Sequence, residues 1–150
     1  MGLIDDISQF LETRLEEYIR NNPQIELQIL EEKLSQQGTE VAKLIANFRT
    51  QEKQLQDQIL DIANDIRIWH DRAKKASEAN RQDLANAAKE REASLLKQGN
   101  QVWAQMELIK QRIAQTVELQ TQIQVRMQEV RAKIAEAAKN KPPAQPNPAT

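Results

Sequence analysis

Residues 27–76 read LQILEEKLSQQGTEVAKLIANFRTQEKQLQDQILDIANDIRIWHDRAKKA. Within this stretch an apolar residue returns every seven positions: Leu27, Leu34, Val41, Phe48, Leu55, Ile62, Trp69 and Ala76. A second series follows at Ala88, Leu95, Val102, Ile109, Thr116, Ile123, Val130 and Ala137. A seven-residue repeat sustained over so many turns is the signature of long supercoiled helices. The expected fold class is therefore all-α, a short N-terminal amphipathic helix followed by a long antiparallel two-helix coiled-coil hairpin. That leaves no length for a sheet, a pocket domain or an active site built from loops.

Working outward from the repeat, residues 2–22 form a separate element. Leu3, Ile4, Ile7, Phe10, Leu11, Leu15, Tyr18 and Ile19 fall within about half of a helical wheel at 100° per residue. Acidic residues take the other half. Arg14 intrudes on the apolar side, where its stem can lie flat. Asn22-Pro23 ends this helix, because the residue before proline avoids the helical region, and Asn22 suits the N-cap of the next one. Three segments follow: 1–22 as the amphipathic helix, 23–139 as the hairpin and 140–150 as a disordered Pro-rich tail.

The hairpin seam is expected at Leu34, Val41, Phe48, Leu55, Ile62 and Trp69, paired with Leu95, Val102, Ile109, Ile123 and Val130. Companion positions add Leu30 and Leu44, then Ile59, Ile66 and Ala73, on the first arm. Met106, Ile113, Met127 and Ile134 serve the second arm, with Thr116 and Gln120 as polar insertions. Gly38 is the expected bend, since glycine costs about 1 kcal/mol relative to alanine inside a helix. The apolar repeat lapses over 77–83, SEANRQD, which reads as a tight turn. Reflection about that turn sets Trp69 near Glu90, Leu55 near Ala104 and Leu27 near Ala132. At 1.5 Å per residue each arm measures roughly 80 Å. Trp103, one residue past Val102, either flanks the seam or faces a partner, with the edge of the seam favoured.

Charge supports pairing of the arms. Residues 1–71 carry 7 Lys/Arg against 14 Asp/Glu, whereas the whole chain has a net charge of −1, so the second half is basic. The near-neutral total argues against a nucleic-acid binder. With no cysteine there is no disulfide framework and no thiolate chemistry. His70, the one histidine, has Ile66, Arg67, Ala73 and Lys74 as helical neighbours, none of them a metal ligand or a base partner. No enzyme activity, cofactor or metal is expected. No apolar run approaches the roughly 18 residues that span a bilayer, and no secretory leader is evident, so the expected location is the cytoplasm, free or peripheral on the inner face of a membrane.

At the turn, Trp69 and Arg72-Ala73, then Ala76, then Asn80-Arg81, Asp83-Leu84-Ala85 and Ala87-Ala88 resemble the hairpin tip of the phage shock protein A family. That family includes the vesicle-inducing protein of plastids and is ESCRT-III-like. The resemblance extends to the opening Met1-Gly2-Leu3-Ile4-Asp5-Asp6-Ile7 and covers residues 1–139. It implies a tip motif of Arg72, Ala73, Arg81, Asp83, Leu84, Ala85 and Ala88. It also implies lipid contact through Leu3, Ile4, Ile7, Phe10, Leu11 and Tyr18, and assembly by packing hairpins side by side. The sequence departs from the family at Asn86 and Lys89, in its acidic first helix, and in its Pro-rich end where the family continues into further helices. It looks like a short member lacking the C-terminal helices. Two functional expectations follow. One is a peripheral membrane-associated scaffold or regulator of the phage-shock type, a homo-oligomer or a partner of longer family members. The other is a soluble coiled-coil adaptor that pairs with partner helices and never touches lipid.

Overall fold

The computed structural model describes residues 2–21 and 24–140. The expected break at Asn22-Pro23 and the tail over 141–150 lie outside the described residues, as does the side chain of Tyr18. Four helices follow one another: α1 (Leu3–Thr13), α2 (Leu15–Asn21), α3 (Gln24–Glu78) and α4 (Gln82–Asn140). There is no strand among the described residues. α3 and α4 pack along each other as a hairpin, and α1 and α2 precede it. α4 runs one residue into the segment expected to be tail, a difference within the ordinary fraying of helix ends.

The first helix is not continuous. Thr13 Oγ1 donates to the Gln9 carbonyl at 2.7 Å, and Arg14 closes α1 at φ −112° and ψ −29°, still in the right-handed region, with its N–H reaching the Phe10 carbonyl at 3.1 Å. The same back-bond at Thr39, Thr50 and Thr121 leaves α3 and α4 unbroken, so the hydroxyl alone does not account for the interruption. Arg14 is exposed rather than lying on the apolar face. Gly2 caps α1 with φ 150°, a conformation that side chains disfavour, and its carbonyl accepts from the Asp6 N–H at 3.1 Å.

Two compact units divide the chain. The first holds residues to Ile45 and from Gln115 on; the second is Ala46–Ala114. In the first unit Ile7, Leu11 and Leu15 join Leu30, Leu34, Val41, Ile45, Leu119, Ile123 and Val130 in one buried cluster. α1 and α2 therefore form a third layer on the two long helices. The long-helix seam is correspondingly wider than a two-helix seam. Ile45, not Leu44, is the buried companion of Val41, and Leu119 is buried where Gln120 is only half-buried. The polar insertion at Thr116 is fully buried.

The second unit is thinner. Ile62, Leu95 and Val102 are its buried cluster, with Leu55, Ile59, Ile66 and Trp69 half-buried against it. Phe48, Ala73, Ala85, Ala88, Met106, Ile109 and Ile113 are buried as well. Gly38 does not interrupt α3, and an added Cβ there would meet Ile123 Cγ2 at 3.7 Å. The register is shifted from simple reflection. Ile62 lies against Gly99, and His70 against Glu92, two to three residues further along α4 than expected. The helix ends at Glu78 and Gln82 centre the turn on Asn80, which accounts for one residue of that shift.

Candidate functional site

The turn itself is built by one residue in the left-handed region. Asn80 has φ 60°. Its N–H donates to the Ser77 carbonyl at 3.1 Å, and the Arg81 N–H donates to the Ala76 carbonyl at 2.8 Å. This pair of bonds is a Schellman cap, and asparagine is one of the few L residues that tolerates its left-handed position. Arg81 then caps α4, its carbonyl accepting from the Ala85 N–H at 3.0 Å. The Arg81 guanidinium meets both Asp83 carboxylate oxygens at 3.3 Å. That guanidinium, then the Leu84 N–H, hold the Asp83 carboxyl below its ordinary 3.8. The tip motif thus divides into a cap (Arg81 and Asp83), small buried residues (Ala73, Ala85 and Ala88) that let the helices approach, and a surface. Trp69, Arg72, Ala76, Leu84, Ala87, Ala88 and Arg91 line a shallow groove on that surface. Arg72 stacks over the Trp69 ring, 4.6 Å from its centre.

The lipid-contact candidates of the first helix are distributed unevenly. Among the candidates whose side chains are described, Ile7 and Leu11 are buried against the long helices, Ile4 and Phe10 are half-buried, and Leu3 is exposed. Two polar contacts tie the element down from its rim. Lys33 Nζ sits 4.4 Å from the centre of the Phe10 ring, and Arg126 reaches Glu16 at 3.6 Å. Leu15, fully buried, is the deepest side chain of α2.

Two surface features of the second unit escaped sequence reasoning. His70 Nδ1 lies 3.1 Å from Glu92 Oε1, a contact across the hairpin that helical neighbours alone do not disclose. The imidazole is two-thirds exposed, so the pair acts as a surface tie between α3 and α4. The second feature is apolar. Leu60 is 67% exposed, Leu96 50% and Trp103 53%. Trp103 is not at the seam edge; it faces outward, with Lys110 Nζ 5.9 Å from the ring centre. The signal was two apolar doublets seven apart, Leu95-Leu96 and Val102-Trp103.

Among the described residues no helix is long and apolar enough to cross a membrane, and no three His, Asp or Glu side chains gather as a metal site. The arrangement offers helix faces, one apolar groove flanked by arginines, and a capped turn. Comparison with curated proteins finds no match. A family model matches residues 2–150, and the chain belongs to the family it describes, conserved hypothetical protein CHP04376.

Proposed function

We propose that the chain is a non-enzymatic helical scaffold that acts by packing its hairpin against other helices. The carrying observation is the apolar surface that the hairpin leaves in water. In the first unit α1 and α2 cover part of it, and Ile25 and Ile29 stay exposed. The second has two helices, a narrow buried cluster and large apolar side chains left in water at Leu60, Leu96 and Trp103. A two-helix element buries one seam and gains most of its stability from further packing. Its partners are a second copy or a longer helical relative.

Lipid contact through the first helix is the second reading, motivated by its continuous apolar face. It competes with the docked arrangement. Releasing Ile7, Leu11 and Leu15 forfeits roughly 1.5–3 kcal/mol each. A bilayer interface returns less per side chain, and an acidic face beside anionic lipid is opposed by about 1 kcal/mol per charge. Magnitude therefore favours the first helix as a packing element.

Vesicle co-sedimentation combined with light scattering tests the choice. The scaffold reading expects self-association or partner binding, with the protein in the supernatant for zwitterionic and anionic vesicles of every size. Pelleting with vesicles that Phe10→Glu abolishes would replace it with the lipid reading.

A further inference from the structure

On α4 of the second unit, the exposed apolar pair Leu96 and Trp103 is bracketed by charge in mirrored order. Lys89 and Glu92 precede it, and Glu107 and Lys110 follow it. At 100° per residue these six fall on one side of α4. Lys89 and Glu107 lie along one edge of the row, and Glu92 and Lys110 along the other. We propose that this row is the self-association face of the protein, and that it receives a second copy of itself in antiparallel orientation about a two-fold axis near Gly99-Asn100.

The charge order suits a second copy as the occupant. In an antiparallel pair Leu96 meets Trp103 of the second copy twice. Along one edge Lys89 faces Glu107 of the other copy, and along the other edge Glu92 faces Lys110. A parallel pair in register would instead set Lys89 against Glu92 and Glu107 against Lys110, so the direction is decided by the exchange of Lys89 and Glu107, which restores the antiparallel pair alone. A self-complementary patch of this kind is what a two-fold dimer requires. The contacts these side chains make within one chain do not stand in the way. Glu92 holds His70, while Lys110 approaches Glu107 at 3.9 Å and overlies Trp103, all at the protein surface where such pairs exchange readily. The inference rests on the scaffold reading and names its partner and face.

The chain contains no cysteine, so Asn100→Cys introduces a single thiol beside the proposed axis. A short bismaleimide should link this variant into dimers. Ser94→Cys, exposed on the opposite side of α4, should give none. Leu96→Glu with Trp103→Glu should convert the dimer to monomer by light scattering with unchanged helicity, since both side chains are largely exposed. Lys89→Glu should weaken the dimer about tenfold, from two symmetric surface pairs each at the upper end of their usual worth. Adding Glu107→Lys in the same chain should restore it, which loss of folding cannot imitate. A dimer linked through Ser94→Cys, or failure of the double charge exchange to restore association, overturns this face and leaves the scaffold reading standing. A protein monomeric at all concentrations overturns the dimer; if it also pellets with vesicles, the scaffold reading falls with it.

Discussion

Gly99 lies so close to Ile62 that an added Cβ would sit 3.3 Å from its Cγ2. Gly38, equally deep in a long helix, leaves 3.7 Å to Ile123 Cγ2, an ordinary contact. The two glycines therefore answer differently to one methyl group. Gly38→Ala should stabilise the protein by about 0.5–1 kcal/mol, the helical preference of alanine over glycine. Gly99→Ala should gain less or lose stability, because Ile62 has to shift by a few tenths of an ångström. Urea midpoints of the two variants against wild type give the comparison, and equal gains would show that the Gly99 contact carries no constraint.

Asn80 occupies the left-handed position that closes α3. Asn80→Gly should hold or raise the melting temperature, since glycine takes that conformation freely. Asn80→Ala should cost about 1–2 kcal/mol, the penalty of a Cβ in the left-handed region. Thermal unfolding by circular dichroism checks both. A neutral Asn80→Ala would mean that the turn rearranges without its cap.

Arg81 and Asp83 give the tip a pH signature. The Asp83 carboxyl is held below its ordinary value, first by the Arg81 guanidinium and then by the Leu84 N–H. The folded pKa lies below the unfolded one, so on acidification the unfolded chain takes up the proton first. The contribution is present above about pH 4 and is lost as pH falls through the folded pKa. A carboxyl-resolved NMR titration should find Asp83 below 3.8 in wild type and moved upward in Arg81→Ala. An unmoved midpoint would show that the guanidinium contact is absent in solution.

The seven-residue stripe located the helices because burial on a long helix follows its period and little else. Leu34, Val41, Ile123 and Val130, all on the stripe, are among the most deeply buried side chains. Asn80 was legible as part of a turn from its neighbours' polarity. The division at Arg14 was not, because the apolar period runs through it unbroken from Leu11 to Leu15. Nor did the amphipathic face of the first helix say what covers it. An apolar stripe suits a bilayer and a groove between helices equally well, and the docking rests on shape around Leu15, Ile45 and Leu119. Trp103 was misplaced for a related reason. One residue of drift, small against a seven-residue repeat, is 100° on the helix surface and separates the seam from solvent.

The docking of the first helix should be separable from the hairpin by mutation. Ile7, Leu11 and Leu15 are buried in the first unit, while Leu3 near the same end is exposed. Leu11→Ala and Leu15→Ala should each cost about 2–5 kcal/mol of local stability by the removed side chain and the cavity left behind. Leu3→Ala should cost well under 1 kcal/mol. The loss should be confined to the first unit, because the second keeps its own buried cluster at Ile62, Leu95 and Val102. Native-state hydrogen exchange should therefore show Leu15→Ala losing protection over residues 3–21 and the adjoining parts of α3 and α4, with protection over 55–102 intact. Glu16→Ala, which removes only the rim contact to Arg126, should change protection by no more than a few tenths of a kcal/mol, as exposed ion pairs do. If Leu15→Ala left exchange over residues 3–21 as it is in wild type, the docked arrangement would be absent in solution. The apolar face of the first helix would then be open to lipid or to another chain.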